Sequence, residues 1–296
     1  MNSKIGIIGG TGLYDLEGFT DQQWLKVSSN FGNPSDRLLF GKLNDHEIVF
    51  LPRHARGHTI SPSDINYRAN IEALKNSGVD RIISLSAVGS LNINIKPGSF
   101  VIVDQYIDRT YLRQNSFFEK GFVVHVSMAE PTCKIMNKVI YDSAKQLNIK
   151  VHDSGTYVVI EGPQFSTKAE SNYFRKMGAD IIGMTNMPEA KLAREAEIPY
   201  STIALVTDYD CWHDDHENVS TNSILDTLSK NTDNAKKLIS KIIPIISNLK
   251  APFSCGSHNS LEHAVATSKE YRDEKEMKKI SNIAGRIIDI KGWNNQ

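Results

Sequence analysis

The chain has 296 residues, 40% of them apolar and 23% charged, with 34 basic residues balanced by 34 acidic ones. That length can bury a sizeable core in one large domain or two modest ones. The charge balance argues against a broad grip on nucleic acid or an anionic membrane, while allowing a local pocket for one phosphate. No apolar run reaches the length of a membrane span, and Met-Asn-Ser-Lys opens neither a signal nor a transit peptide. Cys133, Cys211 and Cys255 form no disulfide framework and no CxxC pair, so a reducing, cytoplasmic setting is expected.

Lys4–Ile8 reads as a strand with apolar residues on consecutive positions, as expected of a strand buried on both faces. It runs into Gly9-Gly10-Thr11-Gly12, where glycines and a hydroxyl suit close approach of an anion. A third glycine and a distal acidic residue, needed for a dinucleotide fingerprint, are missing, and so is the Lys-Ser/Thr of a P-loop. A plain tight turn is an equal reading. Glu47–Leu51 is the next strand, followed by Pro52-Arg53-His54-Ala55-Arg56-Gly57-His58. Arg53 offers a planar fork for a phosphate and His54 a second donor. His54 and His58 stand four apart, but no Glu follows the first, and Pro and Gly oppose the helix a zinc site would need.

A helix is expected over Asp64–Ser77, ended by Gly78, then a strand over Arg81–Leu85 leading into the small residues Ser86, Ala87, Gly89 and Ser90. Phe100–Asp104 is a strand, Thr132–Leu147 a helix and Tyr157–Ile160 a strand. In Glu161–Glu170, Phe165 can stack on a planar base, and Thr167 with Glu170 forms the pattern of a capping box for a helix over Thr167–Met177. Glu161 and Glu170 are candidate general acids on residue type alone. The strand Asp180–Met184 meets a loop at Met184-Thr185, and a helix follows over Pro188–Glu197.

The strand Ser201–Thr207 ends in Asp208-Tyr209-Asp210. Ligands of open α/β sheets gather beyond the carboxyl ends of strands, and a carboxyl buried there can hold a proton for a leaving group. A divalent cation or a solvated turn would use the same pair. His213-Asp214-Asp215-His216-Glu217 has a metal-like composition, but such charge-dense loops are more often solvated. Ser220–Leu249 is one long helix, or two broken at Pro244, and Glu262–Ile290 reads as a peripheral, mostly solvated helical tail. Alternating strands and helices make the fold α/β, with a domain over residues 1–250 and an extension over 251–296.

Taken in order, the segments GIIGGTGL, RHARGHT, SPSDINYRANI, SAVGSL, IDRT, MAEP, IEGPQFSTKAES, GMTNMPEA and TDYDCW resemble the 5′-methylthioadenosine phosphorylases of the trimeric purine nucleoside phosphorylase family. The resemblance runs from about Lys4 to Lys250. It implies a phosphorylase/hydrolase-like single domain, a twisted mixed β-sheet flanked by helices, in trimers or dimers of trimers that share active sites. It places phosphate against Thr11, Arg53, His54, Ser86, Ala87 and Thr185, ribose against Met184, and purine among Phe165, Ser166, Asp208 and Asp210. It assigns catalysis to Asp208 and the 5′-pocket to Thr221, Ile224 and Leu225, with His125 reaching into a neighbour's site. Inorganic phosphate is then a co-substrate, and no metal or organic cofactor is implied. The tail from Ala251 matches no family segment and receives no site residue. Rival readings are a related phosphorylase for adenosine, 5′-deoxyadenosine or inosine-type nucleosides, a dinucleotide-dependent oxidoreductase using Gly9–Gly12, and a metal module at His213–Glu217.

Overall fold

The computed structural model describes residues 3–10, 12, 16–213 and 221–288, except the side chains of 221–226. Side-chain alternation along each strand decides which layer it feeds. In β1 (Ile5–Gly9), Ile5 and Ile7 enter one core and Ile8 the other. In β6 (Phe100–Val103), Phe100 and Ile102 share the first core, while Val101 and Val103 point to the second. The first core is closed by α2 (Lys134–Gln146) and α5 (Thr221–Ser247), through Met136, Ile140, Leu238, Ile239 and Ile242. The second is closed by α1 (Tyr67–Asn76) and α4 (Asn186–Glu195), through Ile71, Leu74, Ala190 and Leu192. Helices thus cover both faces of the sheet.

The sheet has eleven strands among the described residues and mixes both pairing directions. It adds β2 (Phe19–Leu25), β3 (Leu38–Leu43), β4 (His46–Pro52), β5 (Arg81–Ser90), β7 (Gln105–Arg109), β8 (Val151–His152), β9 (Thr156–Ile160), β10 (Ile181–Gly183) and β11 (Tyr200–Tyr209). At its centre β5 forks. Along one edge it pairs in parallel with β11 from Ile82 to Ser90. Along the other, Arg81–Ser84 pair in parallel with β1, and Gly89 and Ser90 pair antiparallel with β10. Between those two partners, residues 85–88 have no strand beside them on that edge among the described residues. The fork opens at the carboxyl ends of β1 and β11, where ligand sites of such sheets belong.

Local chemistry sets the helix ends. Asn66 caps α1 by accepting from the N–H of Ala69. Before α3 (Lys168–Lys176), Thr167 and Glu170 make the capping box their spacing predicts. Met187 is extended inside α4, so the regular helix starts at Pro188, where proline's fixed φ suits a first turn. α5 runs through Pro244 to Ser247 as one helix rather than two.

The tail is less peripheral than its charge suggests. α6 (Glu274–Lys279) is solvated, but Leu261, Ile280, Ile283, Ala284 and Ile288 are buried in the core that α1 and α4 cover. Ile280 precedes α7 (Ser281–Ala284), which packs on α1. Phe253 is buried in the other core, under the guanidinium of Arg81.

Candidate active site

One cavity of about 350 Å³ opens at the fork. Gly10, Arg53, His54, Ser86, Ala87 and Thr185 line one part of it, Phe165, Ser166, Asp208 and Asp210 another, and Met184 is among its walls as well. These residues come from six separate stretches of chain. Thr11 lies outside the described residues, although its neighbour Gly10 lines the cavity.

The carboxylate pair depends on a bulge in β11. The register with β5 shifts between Val206, opposite Val88, and Asp208, opposite Gly89, which leaves Thr207 as the extra residue. Strict alternation would put Asp208 and Asp210 on the sheet face opposite Leu205 and Thr207. A bulge re-aims the side chains that follow it, so Leu205, Thr207, Asp208 and Asp210 all line the cavity. Tyr209 points away and donates its hydroxyl to the carbonyl of Ile93 at 3.2 Å. Gly89 provides the room, because a Cβ there would lie 3.0 Å from Asp208 Oδ1. Gly162 serves in the same way on the far wall, since its φ is +69° and a Cβ would lie 2.6 Å from Met184 Sδ.

Burial pushes the Asp208 carboxyl up to about 6, the neighbouring charge of Asp210 adds to the rise, and a 2.6 Å hydrogen bond from Thr207 Oγ1 opposes it. Asp210 is also raised by burial. Its Oδ2 and the hydroxyl of Ser166 are buried without a hydrogen-bond partner among the described residues. Orphaned polar atoms on a cavity wall are costly unless a ligand or water engages them.

The other end is built around Arg53, which is 2% exposed. Its fork is taken up by Glu189, with Nε to Oε2 at 2.9 Å and Nη2 to Oε1 at 3.1 Å. Nη2 also donates to Ser84 Oγ at 2.6 Å, and Nη1 to the carbonyl of Leu85 at 2.9 Å. A guanidinium has five N–H groups, so about one remains for the cavity. Most of the planar fork is thus engaged within the protein. Burial alone would lower the Arg53 pKa and raise that of Glu189, but their mutual attraction prevails and moves both the opposite way. Glu189 further accepts from Ser84 Oγ at 2.7 Å and Tyr200 OH at 2.6 Å. Asn186 joins the network through Ser84, Tyr200 and Thr202.

His54 donates from Nδ1 to the carbonyl of Ile60 at 2.9 Å and stacks on His58 with ring centroids 4.2 Å apart. Burial, helped by the charge of Arg53, brings its pKa down to about 4. Ser86 and Thr185 share a hydrogen bond of 2.9 Å between hydroxyls on the two sides of the fork.

The glutamates flagged on residue type have other work. Glu161 accepts from the N–H groups of Tyr111 and Leu112, from Ser63 and from Arg113. Burial opposes its ionisation, yet these bonds hold its pKa down to about 2, so it is a fixed anion and not an acid. Glu170 closes its capping box. His125 is exposed and outside this cavity, its N–H bonded to the carbonyl of Ala264 in the tail. Thr221, Ile224 and Leu225 fall in the first turns of α5, where side chains lie outside the described residues. Leu228 and Thr232 of that helix do line the cavity, and the sequence reading missed them along with His58 and Glu189. His213 is described, but Asp214–Glu217 are not. Among the described residues, no three His, Cys, Asp or Glu side chains are grouped to hold a metal, and no helix is long and apolar enough to cross a membrane.

The phosphorylase superfamily matches residues 4–244. S-methyl-5′-thioadenosine phosphorylase of Rhodospirillum rubrum is 50% identical, over 96% of this chain and 97% of its own. The Saccharolobus solfataricus protein of the same name is 49% identical, over 89% and 97%. A crystal structure of methylthioadenosine phosphorylase from an antarctic soil metagenomic library superposes with a TM-score of 0.90 at 44% identity, over 96% and 99% of the two chains. Methylthioadenosine phosphorylase of Schistosoma mansoni, in complex with adenine, gives 0.80 at 37% identity, over 84% and 93%.

Proposed function

Because this chain belongs to the phosphorylase superfamily, we propose that it cleaves 5′-methylthioadenosine with inorganic phosphate, giving adenine and 5-methylthioribose-1-phosphate. The observation that carries the reading is one cavity with polar groups at one end and two carboxyls, Asp210 buried and Asp208 half-buried, at the other. The first end, Thr11, Arg53, His54, Ser86, Ala87 and Thr185, holds phosphate below C1′. Met184 lies against the ribose, and Phe165, Ser166, Asp208 and Asp210 surround the purine. Phosphate oxygen forms a bond to C1′ as the bond from C1′ to N9 breaks. The bonding electrons pass into the purine, which takes at N7 the proton that Asp208 carries in its neutral form. Holding both reactants in one cavity removes much of the entropic barrier. No group beyond phosphate is required by this scheme.

The testing assay follows free adenine from methylthioadenosine with and without phosphate. Phosphate-dependent release is expected, and release that ignores phosphate would make the protein a nucleosidase.

Asp210 selects the base. An ionised carboxylate only accepts hydrogen bonds, so it suits the exocyclic amine of adenine and opposes a 6-oxo group. Asp210→Asn is expected to lower kcat/KM for methylthioadenosine by about 10- to 100-fold, the loss of one charged hydrogen bond, while raising it for 6-oxopurine nucleosides. Equal losses on both substrates would remove Asp210 from base selection.

Thr221, Ile224 and Leu225 form the 5′-pocket in this reading, beside Leu228 and Thr232, and a methylthio group suits the apolar members. The protein works as a homo-oligomer, a trimer or dimer of trimers, in the cytoplasm, with His125 lent to a neighbour's site. Phe165 supports this, being 74% exposed in the single chain although it lines the cavity. Residues 1–250 form the catalytic domain, and 251–296 an extension whose buried residues brace it.

A further inference from the structure

We propose that His54 selects the attacking anion by the hydrogen that anion carries: Nε2 accepts a hydrogen bond from the P–OH of hydrogen phosphate, and an equally charged anion without a hydroxyl is bound poorly. The inference rests on the reading that this end of the cavity holds phosphate.

A carbonyl oxygen accepts and cannot donate, so the 2.9 Å contact to Ile60 fixes the hydrogen on Nδ1. The ring is buried beside Arg53, and its pKa of about 4 leaves it neutral in neutral solution. A neutral imidazole with its hydrogen on Nδ1 presents a lone pair at Nε2. Among the described residues no hydrogen bond reaches that atom. The bond to Ile60 sets which way round the ring lies, and His58 stacks on its face with an interplanar angle of 12°. His54 is therefore an acceptor on the cavity wall, where the sequence reading expects a second donor.

Its neighbours make this matter. The charge of Arg53 is balanced by Glu189 at hydrogen-bonding distance, so the anion is held mainly by neutral donors and about one guanidinium N–H. The hydroxyl pair of Ser86 and Thr185 and the strand-free edge of β5 offer such donors. In that setting one lone pair facing one bare oxygen is not masked by excess positive charge. Hydrogen phosphate turns its hydroxyl toward Nε2 and satisfies it. Sulfate, with four bare oxygens, leaves the acceptor unpaired.

The test is equilibrium binding of phosphate, arsenate and sulfate to the full-length protein by calorimetry, at a pH where all three carry two charges. Phosphate and arsenate, which both carry a hydroxyl, are expected to bind within about tenfold of each other. Sulfate is expected to bind about 10- to 100-fold more weakly than phosphate, the usual cost of an unsatisfied buried acceptor. In His54→Gln, which can turn an amide N–H toward the anion, the gap between sulfate and phosphate should shrink by about tenfold. Sulfate binding as tightly as phosphate in the native protein overturns the proposal. Arsenate binding as weakly as sulfate overturns it too, since size would then be what is read. The native ordering decides the matter even if the variant fails to fold. Adenine release is measured separately. Its absence with the anion ordering intact refutes the proposed reaction and leaves this inference standing, whereas its presence with the ordering lost does the reverse.

Discussion

Asp208→Asn is expected to lower turnover of methylthioadenosine by about 10²–10⁴-fold, the range for losing a positioned general acid, while leaving the folded protein at least as stable as before. The two effects share one origin. Burial raises the Asp208 pKa from 3.8 to about 6, so between those values the folded chain keeps a proton that the unfolded chain has released. Stability therefore falls as pH rises from about 4 to about 6 and stays lower above that window. Asparagine occupies the same volume, carries no charge to desolvate, and should recover up to about 1–3 kcal/mol at neutral pH. It has no carboxyl proton to give to N7. Steady-state turnover beside urea unfolding at pH 7.5 reads both consequences. Near-native turnover would remove Asp208 from the chemistry, and a large loss of stability would mean that its burial is structural.

Glu189→Gln should give the largest stability loss among single changes in the site, about 3–5 kcal/mol, because it strands a buried guanidinium. Glu189 and Arg53 are each about 2% exposed, and Ser84 and Tyr200 complete the carboxylate's shell. Burial opposes its ionisation, but the charge and hydrogen bonds of Arg53, with those of Tyr200 and Ser84, together outweigh it, so its folded-state pKa is depressed. This contribution is thus complete above the ordinary carboxylate range and is lost as pH falls through the folded value. Removing the pair together behaves differently, because Arg53→Met with Glu189→Met deletes both desolvation costs and should restore much of the stability. Phosphorolysis should not return with it, since the anion's guanidinium contact is gone. Urea midpoints for the native, single and double variants, with kcat/KM for phosphate, form the measurement. A Glu189→Gln loss below about 1 kcal/mol would mean that Arg53 finds another partner or water.

The central strands and the site loops are legible from sequence for different reasons. Ile5, Ile7 and Ile8, or Ile203 to Val206, are apolar on consecutive positions because both faces of the sheet are covered. Phe19–Leu25 escapes notice because only Phe19 of that edge strand is buried and the intervening residues are polar. Gln105–Arg109 is likewise half-solvated. In the tail, Ile280, Ile283 and Ala284 carry a helical spacing that the surrounding Lys and Glu obscure. At the site, Glu189 looks like an ordinary acidic residue in a first helical turn, favoured there by the helix dipole alone. Only the approach of α4 to the carboxyl end of β4 reveals its partner, and no local pattern announces the bulge at Thr207, which is a property of two strands and not of one.

The stretch of β5 with no strand on one edge has an experimental corollary. Residues 85–88 still carry amides and carbonyls there, and one of them, the Leu85 carbonyl, already orients Arg53. Contacts made by the peptide itself survive replacement of any side chain. An alanine scan of Leu85, Ser86 and Val88 would undercount this strand and credit the site to the residues around it. Backbone ester substitution, which deletes one N–H at a time, is the perturbation to which that edge responds.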